Sequence, residues 1–121
     1  MKKTVLVVDD NPVILKLLNI ILSADYEVIL KISGIEALNW LEDSNHPNLI
    51  ISDLMMPYFD GHSFVRSLKI SGFYKDTPVI VLSGAEDLDE RVAQMPFKID
   101  GYLKKPFNPS VLKNMITKIL N

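Results

Sequence analysis

The chain has 121 residues, no cysteine and a formal net charge of -2. That length supports one hydrophobic core and one domain, residues 1–121, with no room for a second. Without cysteine there are no disulfides, thiolate metal centres or cysteine nucleophile, and the charge balance offers no basic footprint for nucleic acid or an anionic membrane. Hydrophobic residues at 48% and charged residues at 23% are a globular balance rather than a disordered one. The first apolar run, Thr4 to Val8, ends in two aspartates. It is too short for a signal peptide or a membrane span, so the expected setting is the cytoplasm.

In chain order, apolar runs alternate with helical patterns. Thr4 to Val8 is continuous and β-branched, which suits a strand covered on both faces of a parallel sheet. Asp9, Asp10 and Asn11 supply caps and Pro12 a first helical residue, predicting a helix to about Ala24. Its apolar residues permit two readings. One is a wide core stripe centred on Ile14, Leu17, Leu18 and Ile21; the other leaves Leu15, Asn19 and Leu22 as an exposed strip for docking a partner. Glu27 to Ile32 reads as a second strand and Ile35 to about Asp43 as a helix with Ala37, Leu38 and Leu41 inward. Leu49 to Ser52 is a third strand. Met56 to Gly61 is a loop broken by proline and glycine. His62 to Ile70 is a helix on Phe64, Val65 and Leu68. Pro78 to Leu82 is a fourth strand, and Glu86 to Met95 a weak acidic helix that Pro96 must stop. Gly101 to Lys104 is a fifth strand, and Asn108-Pro109 opens a last helix carrying Val111, Leu112, Met115, Ile116, Ile119 and Leu120.

Five strand–helix units with short links imply a doubly wound (βα)5 parallel sheet with right-handed crossovers. In such a sheet ligands bind outside the carboxyl ends of the strands. Those ends here carry Asp9 and Asp10, then Asp53, then Ser83, then Lys104 and Lys105. Three carboxylates in one place raise one another's pKa unless a cation compensates. An all-oxygen set suits a hard ion, Mg2+ or Mn2+. A carboxylate can also act as a nucleophile toward phosphorus, with metal, ammonium and hydroxyl each neutralising a phosphoryl oxygen. Asp53, alone at the end of a central strand, is the best nucleophile candidate.

Four separated motifs then carry a family resemblance along the whole chain: VLVVDDNP, ISDLMMPYFDG, VIVLSGA and GYLKKPF. Together they resemble the receiver domain of two-component response regulators, the CheY-like member of the flavodoxin-like folds, with strand order 2-1-3-4-5. The resemblance implies Asp53 as phosphoacceptor, with Asp10 a direct Mg2+ ligand, Asp9 acting largely through water, and the backbone carbonyl of Met55 completing the protein ligands. It implies that Lys105, joined to Pro106 by a cis bond, pairs with the phosphoryl group while Lys104 stays at the surface. Ser83 matches the switch hydroxyl and Tyr102 the switch aromatic. Met55 and Ala85 occupy positions that tune phosphoryl lifetime. Neither can orient a water, so rapid built-in dephosphorylation is not expected.

The implied partners are a histidine kinase or histidine phosphotransfer protein upstream and an effector protein downstream. The expected chain is a monomer or weak dimer, without nucleic-acid contact or membrane insertion. It would be a signalling phosphoacceptor rather than an enzyme acting on other substrates, and the end just after the fifth helix suits a stand-alone regulator. The departure from the family pattern is Met95 to Asp100, where Pro96 should shorten the fourth helix and Phe97 and Ile99 either fill the gap or face a partner. Three alternatives differ in kind. A haloacid dehalogenase-type phosphohydrolase wants an Asp-x-Asp motif and a cap domain, both missing. A flavodoxin-like cofactor binder wants a phosphate loop where two aspartates stand. A receiver-fold scaffold independent of phosphorylation would not need the full set of site side chains.

Overall fold

The structure, a computed structural model, describes residues 2–54, 56 and 61–121, with side chains in the last stretch from residue 63. The elements run β1 (Thr4–Val8), α1 (Pro12–Leu22), β2 (Glu27–Lys31), α2 (Gly34–Glu42), β3 (Leu49–Ser52), α3 (Gly61–Ile70), β4 (Val79–Ser83), α4 (Leu88–Ala93), β5 (Gly101–Lys104) and α5 (Pro109–Leu120). The strands form one sheet in the order β2-β1-β3-β4-β5, and every neighbouring pair is parallel. This is the doubly wound order, which reverses between β1 and β3 and opens a crevice there.

The continuous apolar strands are explained by their two covered faces. Val5, Val7, Leu49, Ile51, Ile80 and Leu82 point to one side, where α1 and α5 lie. Leu6, Val8, Ile50, Val79 and Val81 point to the other, against α2, α3 and α4. Alternation along β1, β3 and β4 thus buries every apolar residue of those three strands, as period-2 geometry requires, while the outer strands β2 and β5 are only partly covered. A side chain on Gly101 would meet Met115, whose Sδ would lie 2.6 Å from the added Cβ, so any larger residue here would have to displace the Met115 side chain of α5.

Helix α1 corrects the docking reading. Leu15, Leu18 and Leu22 are buried in the core, while Leu17 is exposed with Val13 and Ile20. Leu15 and Leu22 therefore cannot form a docking strip, and Asn19 stands among exposed residues without them. The helix is PVILKLLNIIL, eight of its 11 residues aliphatic, so periodicity alone leaves its rotation loosely fixed. Tertiary packing turns it roughly 80° from a stripe centred on Ile14, Leu17, Leu18 and Ile21.

Helix α4 is six residues long, Leu88–Ala93, against the predicted Glu86 to Met95. The ring of Pro96 would clash with the carbonyl four residues earlier if the helix ran through it. Met95, Phe97 and Ile99 then pack, partly buried, against the α2–α3–α4 side of the core. The unusual segment fills its own gap.

Candidate functional site

The site is built on the sheet's hydrogen-bond ladder, carried one residue past the strands. The Asp9 N–H donates to the Lys31 carbonyl at 3.1 Å, the Asp53 N–H to Val8 at 3.0 Å, and the Lys105 N–H to Ser83 at 2.8 Å. Asp9, Asp53 and Lys105 are thus each fixed at the backbone before the side chain reaches the crevice. Asn11 adds a second restraint. Its N–H donates to Asp9 Oδ1 at 2.9 Å, while its own Oδ1 accepts from Val13 N at 2.9 Å. One asparagine caps α1 and orients Asp9.

Asp9, Asp53 and Ser83 are buried, whereas Asp10 is exposed. Carboxylate oxygens of Asp9, Asp10 and Asp53 all lie within 4.8 Å of one another. Lys105 Nζ bridges two of them, at 2.7 Å from Asp9 Oδ2 and 3.0 Å from Asp53 Oδ2. Lys104, its neighbour, is exposed. The Lys105–Pro106 bond is cis.

The electrostatics follow from burial. Desolvation pushes the Asp9 carboxyl above its ordinary 3.8, outweighing the hydrogen bonds from Lys105 and Asn11 and the charge of Lys105, while the charge of Asp53 pushes the same way. For Lys105, burial alone would pull the ammonium down, but its hydrogen bonds to Asp9 and Asp53 and their charges leave it above 10.5. The crevice thus holds two buried carboxylates on one shared ammonium. Its donor set is all oxygen, and its geometry leaves Asp10 facing solvent at the rim. Such a set fits a hard divalent cation in the Mg2+ class, which keeps part of its water shell.

Ser83 Oγ accepts from the Ala85 N–H at 3.2 Å, and Ala85 is itself buried. Tyr102, on the same edge of the sheet, is 36% exposed. Hydrogen bonding to and charge on the Asp89 carboxylate raise its phenol above 10.0. Met55, expected to give a backbone carbonyl and to tune lifetime, lies outside the described residues. Two residues joined to the site escaped the sequence reading. Asn11 was visible only as a helix cap, and Asp89 as one acid among several in a weak helix; neither pairing leaves a periodic signal.

These features define a class. The family model of the response regulator receiver domain matches residues 5–117. The chain belongs to that family, the receiver domain of two-component signal transduction. It is 36% identical over 120 residues to "Probable transcriptional regulator ycf27" of Porphyridium aerugineum, covering 98% of this chain and 48% of that protein. The chain spans about half the length of the curated relatives it matches first. Among solved structures it is similar to the chemotaxis response regulator CheY4 of Vibrio cholerae, at 31% identity and a TM-score of 0.86, covering 99% of this chain and 100% of that one. It is also similar to the receiver domain of the sensor histidine kinase PA1611 from Pseudomonas aeruginosa PAO1. That match has 26% identity and a TM-score of 0.87, covers 99% and 98% of the two chains, and the neighbour has a magnesium ion coordinated in its active site cleft. Among the described residues, no helix is long and apolar enough to cross a membrane.

Proposed function

We propose that this domain accepts a phosphoryl group on Asp53 from a phosphohistidine and passes the change to a protein partner in the cytoplasm. The observation that carries this reading is the triad of Asp9, Asp10 and Asp53 oxygens within 4.8 Å, with Lys105 Nζ 3.0 Å from Asp53 Oδ2. Asp9, Asp10 and Asp53 would hold Mg2+, which when bound supplies positive charge to the phosphoryl oxygens. A carboxylate oxygen of Asp53 forms a bond to phosphorus as the phosphorus–nitrogen bond to the donor imidazole breaks, and that nitrogen keeps the electron pair. The Lys105 ammonium, already at the acceptor, neutralises a phosphoryl oxygen. Ser83 offers its hydroxyl to another, exchanging its local contact with the Ala85 N–H. Tyr102, held outward beside Asp89, is then the element whose position reports the modified state. The domain's own chemistry is confined to gaining and losing this group.

The test is intact mass after incubation with acetyl phosphate and Mg2+. One added phosphate is expected, and none in Asp53→Ala. Equal labelling of the variant would move the acceptor elsewhere.

A histidine kinase or phosphotransfer protein would meet the crevice through the outward apolar flank of α1, Val13, Leu17 and Ile20. These residues are exposed on the helix that begins beside Asp9 and Asp10. Leu17→Asp is expected to slow transfer from a phosphotransfer protein about tenfold, a usual loss for a central apolar contact. Labelling by acetyl phosphate should be unaffected. Equal slowing of both reactions would place the damage in the site rather than in docking.

A further inference from the structure

A second concavity lies at the opposite end of the molecule. Parallel strands and their crossover helices run in opposite directions, so α2 and α3 end at the amino edge of the sheet, away from Asp53. Between these ends is a groove of about 380 Å3, a volume in the range of small-molecule sites. Its floor is Leu41 and Leu68, its wall His46, Phe73 and Tyr74, and its rim includes Glu42. The wall is an aromatic run: the rings of His46 and Tyr74 have centroids 5.6 Å apart at 34°, and those of Phe73 and Tyr74 6.4 Å apart at 50°.

The wall is anchored. The Tyr74 hydroxyl reaches the carbonyls of Leu41 at 2.6 Å and Asn45 at 3.1 Å. This ties the segment after α3 to the end of α2 and fixes the ring facing the groove. Phe73, by contrast, is 81% exposed, an aromatic side chain with most of its surface in water beside an apolar floor.

The charge at this mouth has one sign. Glu42 ends α2 and Asp43 caps it, with no basic residue in the last turn. The negative end of the helix dipole adds to the two carboxylates instead of being offset by them. After burial, the charge of Glu42 is what raises the Tyr74 phenol, which places that carboxylate within reach of the aromatic wall. No lysine or arginine is among the lining residues. Lys69 of α3 turns away, donating to the carbonyls of Thr77 at 3.0 Å and Lys75 at 3.3 Å.

We infer that the groove between the ends of α2 and α3 binds a small organic cation, an ammonium or guanidinium on an aromatic or branched apolar body. The apolar body fills the space over Leu41 and Leu68. The cation lies against the aromatic faces and pairs with Glu42 at a helix terminus that attracts positive charge. An anion of the same shape meets the Glu42 carboxylate and a negative dipole end.

The test is a titration of the isotope-labelled chain followed by amide NMR, using phenethylammonium and, separately, phenylpropionate. Phenethylammonium is expected to shift amides of Leu41 to His46 and Ser67 to Tyr74, with a dissociation constant on the order of a millimolar for so small a ligand. Phenylpropionate should leave them unmoved. Glu42→Gln, an exposed and nearly isosteric change, should weaken the cation about two- to fivefold, and Phe73→Ala should weaken it as well. Equal binding of both probes, unchanged affinity in Glu42→Gln, or shifts confined to the Asp9–Asp53 crevice would overturn the inference. So would shifts of the same groove amides with protein concentration alone, which would make a second copy of the chain the occupant.

Discussion

The two ends of the sheet use polar residues in opposite ways. At the amino end, polar side chains close gaps that the backbone leaves open. Asn48 Oδ1 accepts from the Thr4 N–H at 2.8 Å, Asp100 Oδ1 from the Val79 N–H at 2.9 Å, and Tyr74 bonds two carbonyls at the end of α2. Each bond starts a strand or pins a helix. At the carboxyl end, Asp9 and Asp53 are buried side by side on one lysine, an arrangement that costs desolvation and leaves like charges adjacent. The first end stabilises the fold. The second concentrates charge at a cost in stability, the arrangement that the proposed phosphoryl acceptance would use. Substitutions at the two ends should therefore shift stability with opposite signs.

The largest stability effect should come from the amino end. Tyr74→Phe keeps the ring and removes the hydroxyl, leaving the Leu41 and Asn45 carbonyls to weaker partners. A loss of about 1–2 kcal/mol is expected in urea unfolding, with no change in labelling by acetyl phosphate. An unchanged midpoint would mean that the hydroxyl does not tie α2 to the segment before β4.

How far this contrast was legible in the sequence depended on the kind of signal. The strands could be read because both sheet faces are covered, so each appears as an unbroken apolar run. Once the strands are parallel and ordered, Asp9, Asp10, Asp53, Ser83 and Lys105 must share one edge, so their positions at one rim followed from topology. Lys105 and Lys104 were indistinguishable by local chemistry. The motif separated them, and the structure puts only Lys105 within reach of Asp53. The rotation of α1 was not legible, because aliphatic residues cover most of its circumference. Nor were the amino-end closures. The Tyr74 hydroxyl bonds backbone carbonyls about 30 positions away, and a backbone acceptor places no demand on residue type at the other end of the bond. Pro96 announced a short α4, but not that Phe97 and Ile99 would turn back onto the core.

At the carboxyl end the sign should reverse. Asp9→Asn removes a charge that burial disfavours. The asparagine side-chain oxygen can still accept from the Asn11 N–H, and Lys105 keeps Asp53. In chelator, without divalent cations, the variant should be more stable than the parent by about 1 kcal/mol at pH 7. The pH dependence carries the sign. A carboxyl whose folded pKa lies above its unfolded value binds more protons in the folded state. Its contribution therefore favours folding at low pH and is lost as pH rises from the ordinary 3.8 through the raised value. The difference between variant and parent should accordingly shrink toward acid. It should also shrink when Mg2+ is added, because Mg2+ stabilises only the form that binds it well. A variant less stable than the parent in chelator at pH 7 would show that the Asp9–Lys105 pair outweighs its desolvation.

The smallest effect comes from a strained residue beside the anchored wall. Ser44 follows the α2 cap Asp43 and has φ 66°, the left-handed conformation that often ends a helix and that glycine adopts without steric cost. Serine pays there because its Cβ crowds the backbone, while glycine pays through its freer unfolded chain. The first cost is the larger at a positive φ, so Ser44→Gly should stabilise the domain by about 0.5 kcal/mol. The gain should appear as a higher urea midpoint at unchanged slope. In a double variant with Tyr74→Phe it should shrink if the hydroxyl bond to Asn45, the residue after Ser44, is what holds the turn in this conformation. Full additivity would instead show that the α2 terminus holds its left-handed turn by itself and that Tyr74 anchors only the segment after α3.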